Sequence, residues 1–158
     1  MKKSALFFAL IIGLLASAST AMAQTVNMSR YITLTVTNGA EIQLIFKAAA
    51  AATPVRIVSG SNTQDITVGT GFTGNAYYTA GSTTMTVYGD ITGFNCSNNG
   101  ANLTALDPSH NTQLEILYCS SNQLSSLDVS HNTQLTMLNC SNNSLNSLDI
   151  SQNTQLTT

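Results

Sequence analysis

The chain has 158 residues, with 5 Lys and Arg against 7 Asp and Glu, and only 8 % of its residues are charged, against about 25 % in an ordinary soluble protein. Its polar surface must therefore be made largely of Ser, Thr, Asn and Gln. Two of the five cations are Lys2 and Lys3, and none follows Arg56; nucleic acid and anionic membranes, which draw affinity from Lys and Arg, are excluded as partners of everything beyond that point.

The first element is an address. "MKKSALFFALIIGLLASASTAMAQ" carries two lysines, an apolar run from Ala5 to about Ala16, and small residues up to Ala23. This predicts a Sec signal peptide over residues 1–23, cut before Gln24. The apolar run is too short for a membrane span, which needs about 20 residues. The mature chain is expected outside the cytoplasm, secreted, at the cell surface or in the periplasm.

Residues 24–90 alternate between apolar and polar. Ile32, Leu34 and Val36 are followed by Ile42, Leu44 and Phe46, with Asn38-Gly39 between the two runs. Alternation of period two predicts half-buried strands, and Asn-Gly between them predicts a hairpin. Further short strands are expected at Val55–Val58, Asp65–Val68, Tyr77–Thr79 and Thr83–Tyr88, with a loop over Lys47–Pro54. Together they read as a small antiparallel β cap domain whose last strand runs onto the edge of a sheet beginning at Ile91.

From Ile91 the chain repeats itself. "SHNTQL" stands at Ser109–Leu114 and again at Ser130–Leu135, and "SQNTQL" at Ser151–Leu156, each 21 residues after the last. One full unit is "LEILYCSSNQLSSLDVSHNTQ" (Leu114–Gln134) and the next "LTMLNCSNNSLNSLDISQNTQ" (Leu135–Gln155). A looser first unit, Ile91–Gln113, carries Gly100-Ala101 as an insertion. The pattern L-x-x-L-x-C-x-x-N-x-L is that of a leucine-rich repeat, one short strand per unit. Leu114, Leu117, Cys119, Leu124 and Leu127 are expected inside, repeated at Leu135, Leu138, Cys140, Leu145 and Leu148. The expected fold is mainly β: a right-handed leucine-rich-repeat solenoid with a parallel sheet over 91–158, preceded by the antiparallel cap of 24–90. The inward position of Leu138 predicts an apolar residue 21 positions on, one place past Thr158, so the repeats are expected to be truncated.

The polar positions that recur are read as scaffold. Asn99, Asn122 and Asn143 each follow a cysteine by three residues, where a stacked amide can satisfy backbone groups at a strand-to-loop corner. Cys96, Cys119 and Cys140 occupy one repeat position and are expected to be small buried hydrophobes in a ladder with those asparagines. The "SHNTQ" phrase is the return stroke, with Ser130 expected to cap a single short helical or 3₁₀ turn.

More reactive readings of the same residues fail on their own terms. Asp128, Ser130 and His131 resemble a hydrolytic set but recur as Asp107, Ser109 and His110, too close in sequence for nucleophile–base–orienter geometry. Asp128, Ser130 and Asn132 echo a calcium loop but lack its glycine and its closing glutamate. His110 and His131 have no third ligand, and Gln152 breaks the series. No catalytic residue, metal or cofactor is expected, and the chain is read as a non-enzyme.

The repeats resemble those of secreted bacterial leucine-rich-repeat proteins near the internalin-like group, the short form with Cys in the strand and "LDVSHNTQL" on the return (Leu127–Leu135). The resemblance is specific over 91–158 and weaker over 24–90. It implies a non-enzymatic binding protein, secreted or surface-associated, with adhesins among its relatives.

Alternation along the repeat strands then places the candidate binding face. With Leu117 and Cys119 inward, Ile116, Tyr118 and Ser120 point outward with Glu115 beside them. The next unit presents Thr136, Met137, Asn139 and Ser141, and the first presents Thr92, Gly93, Asn95 and Ser97. The expected partner is an extracellular protein. A neutral glycan or cell-wall carbohydrate is the alternative, suggested by Tyr77, Tyr78 and Tyr118 on an uncharged surface, and a spacer role is the third.

Overall fold

A computed structural model describes residues 24–157; the signal-peptide reading lies outside them. Ten strands run in chain order: β1 (Tyr31–Val36), β2 (Glu41–Ala48), β3 (Thr53–Ser59), β4 (Asn62–Val68), β5 (Ala76–Thr79), β6 (Thr84–Gly89), β7 (Ile91–Asn95), β8 (Leu103–Asp107), β9 (Ile116–Tyr118) and β10 (Met137–Asn139). They form two five-stranded sheets, β4-β3-β6-β1-β8 and β10-β9-β7-β2-β5. Every pairing in the first is antiparallel. The second is mixed: β10, β9 and β7 are parallel, while β7–β2 and β2–β5 are antiparallel.

This overturns the expected fold class. No leucine-rich-repeat solenoid with a parallel sheet of its own stands behind a separate antiparallel cap. Strands from both sides of Asp90 enter both sheets: β7 pairs with β2 and β8 with β1, both antiparallel. The physical reason is that an edge strand offers unpaired N–H and C=O groups to a neighbour of either direction. The first repeat unit contributes two such edges, and β1 and β2 take one each. Helices are absent among the described residues. The return phrases are turns, in which Asn132 N donates to Val129 O at 2.9 Å and Leu135 N to Asn132 O at 3.0 Å.

Asn38-Gly39 does reverse the chain: Gly39 has φ +82°, and Ala40 N donates to Thr37 O at 3.1 Å. The arms, however, do not pair as a hairpin. Ile32, Leu34 and Val36 on β1 and Ile42, Leu44 and Phe46 on β2 are all buried, and the two strands lie in different sheets. The turn therefore bridges the layers. A true two-residue hairpin joins β3 and β4, with Ser59 opposite Asn62.

One apolar cluster fills the interior and runs from Ile32, Leu34, Met85 and Val87 through Phe46 and Phe94 to Leu117, Leu124 and Leu135. Phe46 and Phe94 sit opposite each other across β2 and β7, rings stacked at 5.7 Å. The chain passes from one sheet to the other at Gly89, whose φ of +138° suits glycine; a Cβ there would meet Pro54 O at 2.8 Å. It is thus β2, not the last strand of the expected cap, that lies beside the repeat strands.

Candidate functional site

The outer face of the mixed sheet is set by strand alternation. Register aligns Ile45, Asn95, Tyr118 and Asn139 in one row across β2, β7, β9 and β10, and Lys47, Gly93, Ile116 and Met137 in the next. Leu117 and Leu138 point the other way, onto the core. Met137 is 38 % exposed, Ile116 and Tyr118 are half-buried, and Asn139 is exposed. The Tyr118 hydroxyl reaches Met137 Sδ at 3.4 Å. Glu115 lies at the rim, 3.9 Å from Lys47 Nζ.

The face also holds a residue that the sequence reading did not select. Phe72, from the glycine-rich loop after β4, is 40 % exposed and stacks on Tyr118 with ring centroids 6.1 Å apart. The absence of a side chain at Gly93 makes this possible, because a Cβ there would stand 2.9 Å from the Phe72 ring. The first repeat unit is consequently covered. Thr92 and Ser97 are buried, as is Gly93, contrary to the expected outward display, and Asn95 is half-buried. Ser120 is half-buried as well, with its amide and hydroxyl both bonded to Ser97 Oγ at 3.1 Å. Thr136 turns its hydroxyl back to Glu115 O at 3.1 Å. What remains open is a patch of Phe72, Tyr118, Ile116 and Met137, rimmed by Asn95, Asn139 and the Lys47–Glu115 pair.

Two asparagine ladders hold the backbone under this face. In the first, Asn122 Nδ2 donates to Cys96 O at 3.0 Å and to Cys119 O at 2.9 Å, while its Oδ1 accepts from Asn99 N at 3.0 Å. Asn143 repeats the step toward Cys119 O and Cys140 O. Asn99 ends the ladder on β2, exchanging bonds with Gln43 N and O at 2.7 and 3.0 Å. Each rung thus ties its own unit to the preceding one. The corner between cysteine and asparagine takes left-handed backbone at Asn98, Ser121 and Asn142 (φ +64°, +57° and +53°).

The second ladder lies in the return phrase, which the sequence reading treated as a loop. Asn111, Asn132 and Asn153 are 0, 0 and 3 % exposed. Asn132 Nδ2 donates to Pro108 O and Asn111 O, and Asn153 Nδ2 to Val129 O and Asn132 O, at 2.8–3.0 Å. The turn cap is the aspartate rather than the serine: Asp107, Asp128 and Asp149 each accept from the amide two residues on. Hydrogen bonds from Ser109, Ser130 and Ser151 hold these carboxyls below the usual range. Asp128 accepts from the Ser130 amide, and Ser130 Oγ lies 3.2 Å from Nδ1 of the neighbouring His131, a contact that Ser109 and His110 repeat at 3.1 Å. His110 stacks on Tyr31 at 4.3 Å, and no group of three metal-ligating side chains occurs among the described residues.

Cys96 and Cys119 are buried, Cys140 is half-buried, and all three are free. Burial pushes the Cys119 thiol up to about 12, and it also raises Cys96 and Cys140. Neutral, enclosed thiols react slowly. Alkylation of the folded chain should label Cys140 first and leave Cys96 and Cys119 untouched, with three labels only after denaturation. A reproducible Cys119–Cys140 disulfide would contradict the arrangement, because stacked side chains give a poor dihedral for that bond.

The class defined by fold and face is an all-β protein of two five-stranded sheets, with repeated units bound edge to edge by buried asparagines. No family model matches the chain, and no curated protein matches it. Among solved structures, it is similar to the functional domain of InlJ from Listeria monocytogenes, described as including a cysteine ladder. The two are 43 % identical over 43 % of this chain and 15 % of that one, with a TM-score of 0.41. The chain therefore spans about one-seventh of the InlJ chain.

Proposed function

We propose that the chain is a non-enzymatic extracellular protein-interaction module whose contact surface is the outer face of the mixed sheet. The observation that carries this reading is the patch of exposed Phe72 and Met137 with half-buried Tyr118 and Ile116, on a backbone fixed by the first asparagine ladder. Aromatic side chains pre-stacked on a rigid sheet lose little entropy on binding, and Tyr is enriched among residues that dominate interfaces. The charge balance agrees, since each of the three cations among the described residues is paired with a carboxylate of the same chain. Export through the Sec leader belongs to the same proposal.

The test uses the mature chain as bait on extracellular and cell-surface protein, beside a Tyr118→Ala/Met137→Ala bait with an unchanged melting profile. The native bait should hold a partner that the double variant loses by about tenfold or more, the loss expected when a hot spot is truncated. Equal capture by both baits, or retention only through the return loops, would overturn the reading.

A further inference from the structure

Beside the sheet face, on the side of the return phrases, runs a groove lined by Thr92, Thr112, Gln113, Glu115, Thr133 and Gln134. Thr112-Gln113 and Thr133-Gln134 are the same pair one repeat apart. They come side by side because the residue before each, Asn111 and Asn132, is a rung of the second ladder, joined at 2.8 Å. Successive units therefore present equivalent hydroxyl and amide groups at neighbouring-strand spacing, about 4.8 Å. Of these four side chains only Gln113 is engaged among the described residues, its carbonyl accepting from Arg30. Thr92 also lines the groove; it is 4 % exposed, and its Oγ1 is enclosed and without a hydrogen-bond partner among the described residues.

The lining selects the chemistry of that partner. Hydroxyls and primary amides both donate and accept. An anion wants donors and positive charge, yet Lys47 is already paired with Glu115. A cation would meet one carboxylate, and that one is balanced. An apolar ligand would find little beyond Ala49. A sugar ring, whose hydroxyls also donate and accept, matches groups of this kind, and two equivalent pairs in succession fit consecutive rings of a chain. We infer that this groove is a binding site for a neutral oligosaccharide. The inference does not rest on the protein-contact surface; either can fail while the other stands.

The probes are neutral oligosaccharides built on glucose, mannose, galactose and N-acetylglucosamine, with a sulfated oligosaccharide as the anionic control. Calorimetry gives affinity, and amide chemical shifts locate binding. One neutral series should bind, with shifts centred on Thr112, Gln113, Thr133 and Gln134. Thr133→Val with Gln134→Ala, both exposed positions, should weaken it about tenfold or more. Thr92→Val keeps the side-chain shape and removes a hydroxyl enclosed beneath the groove rather than presented to it, so it should leave affinity unchanged and the melting temperature unchanged or higher. The site is refuted if no neutral series binds at millimolar concentration or only the sulfated control does. It is equally refuted if shifts centre on Phe72 and Tyr118, or if Thr133→Val with Gln134→Ala leaves affinity unchanged.

Discussion

Phe94→Ala should lower the free energy of unfolding by about 3–5 kcal/mol, the range for deleting a fully buried aromatic side chain. Phe94 has no exposed surface and stands where the parallel and antiparallel parts of the mixed sheet meet. Its register partners are Phe46 on β2 and Leu117 on β9. The lost ring leaves a cavity between them, because β2 and β9 are both held to β7 by backbone hydrogen bonds and cannot close the gap. Stacking on Phe46 adds to the loss, about 0.5–1.5 kcal/mol beyond burial for such a pair. Phe94→Leu, which keeps most of the volume, should cost under about 2 kcal/mol. Urea titration of the three proteins measures these differences. A loss below about 1 kcal/mol for Phe94→Ala would show that the two halves of the chain are not joined through this contact.

The same geometry explains what the sequence could and could not announce. Alternation at Ile32, Leu34 and Val36 and at Ile42, Leu44 and Phe46 marks strands, since a two-residue period has one structural meaning. It also marks which side faces inward. Strand partners are another matter. Asn38-Gly39 specifies a chain reversal, but nothing local distinguishes arms that pair with each other from arms that face each other across a core. That difference turns a cap followed by a solenoid into two sheets threaded by both halves. Likewise the repeat pattern gives Leu117 and Leu138 inward and Tyr118 and Met137 outward, yet is silent on the antiparallel neighbour β2 supplies to the first unit.

The binding face was legible only in part for a related reason. Tyr118, Ile116 and Met137 follow from alternation within their own strands. Phe72 stands alone among Gly69, Gly71 and Gly74, and only the folded chain brings it over Gly93. The second ladder had a usable signal. Asn111, Asn132 and Asn153 recur with the period of the buried leucines, whereas His110 and His131 give way to Gln152. Asn-Thr favours turns in either case, so composition alone could not separate a turn residue from a buried rung.

Asn122→Ala should be the most damaging of the polar substitutions, at about 2–4 kcal/mol. Three bonds disappear with its side chain. Cys96 O and Cys119 O each keep a second donor, from Asn99 and Asn143, so those two losses cost about 0.5–1.5 kcal/mol each. Asn99 N loses its acceptor inside a buried corner, which adds about 1–3 kcal/mol. Partial relaxation keeps the total below the sum. Asn132→Ala should cost less, about 1–2 kcal/mol. Pro108 O and Asn111 O still accept from Asn111 N and Leu114 N, and the change also removes Asn132 Oδ1, a buried oxygen without a partner among the described residues. His131→Ala, at an exposed position, should stay within about 0.5 kcal/mol of the parent. Denaturant unfolding of the three variants should therefore rank them Asn122, Asn132, His131. If Asn132→Ala proves as mild as His131→Ala, the return phrase is held by its aspartate-capped turns alone, and its buried amides are not a ladder in the energetic sense.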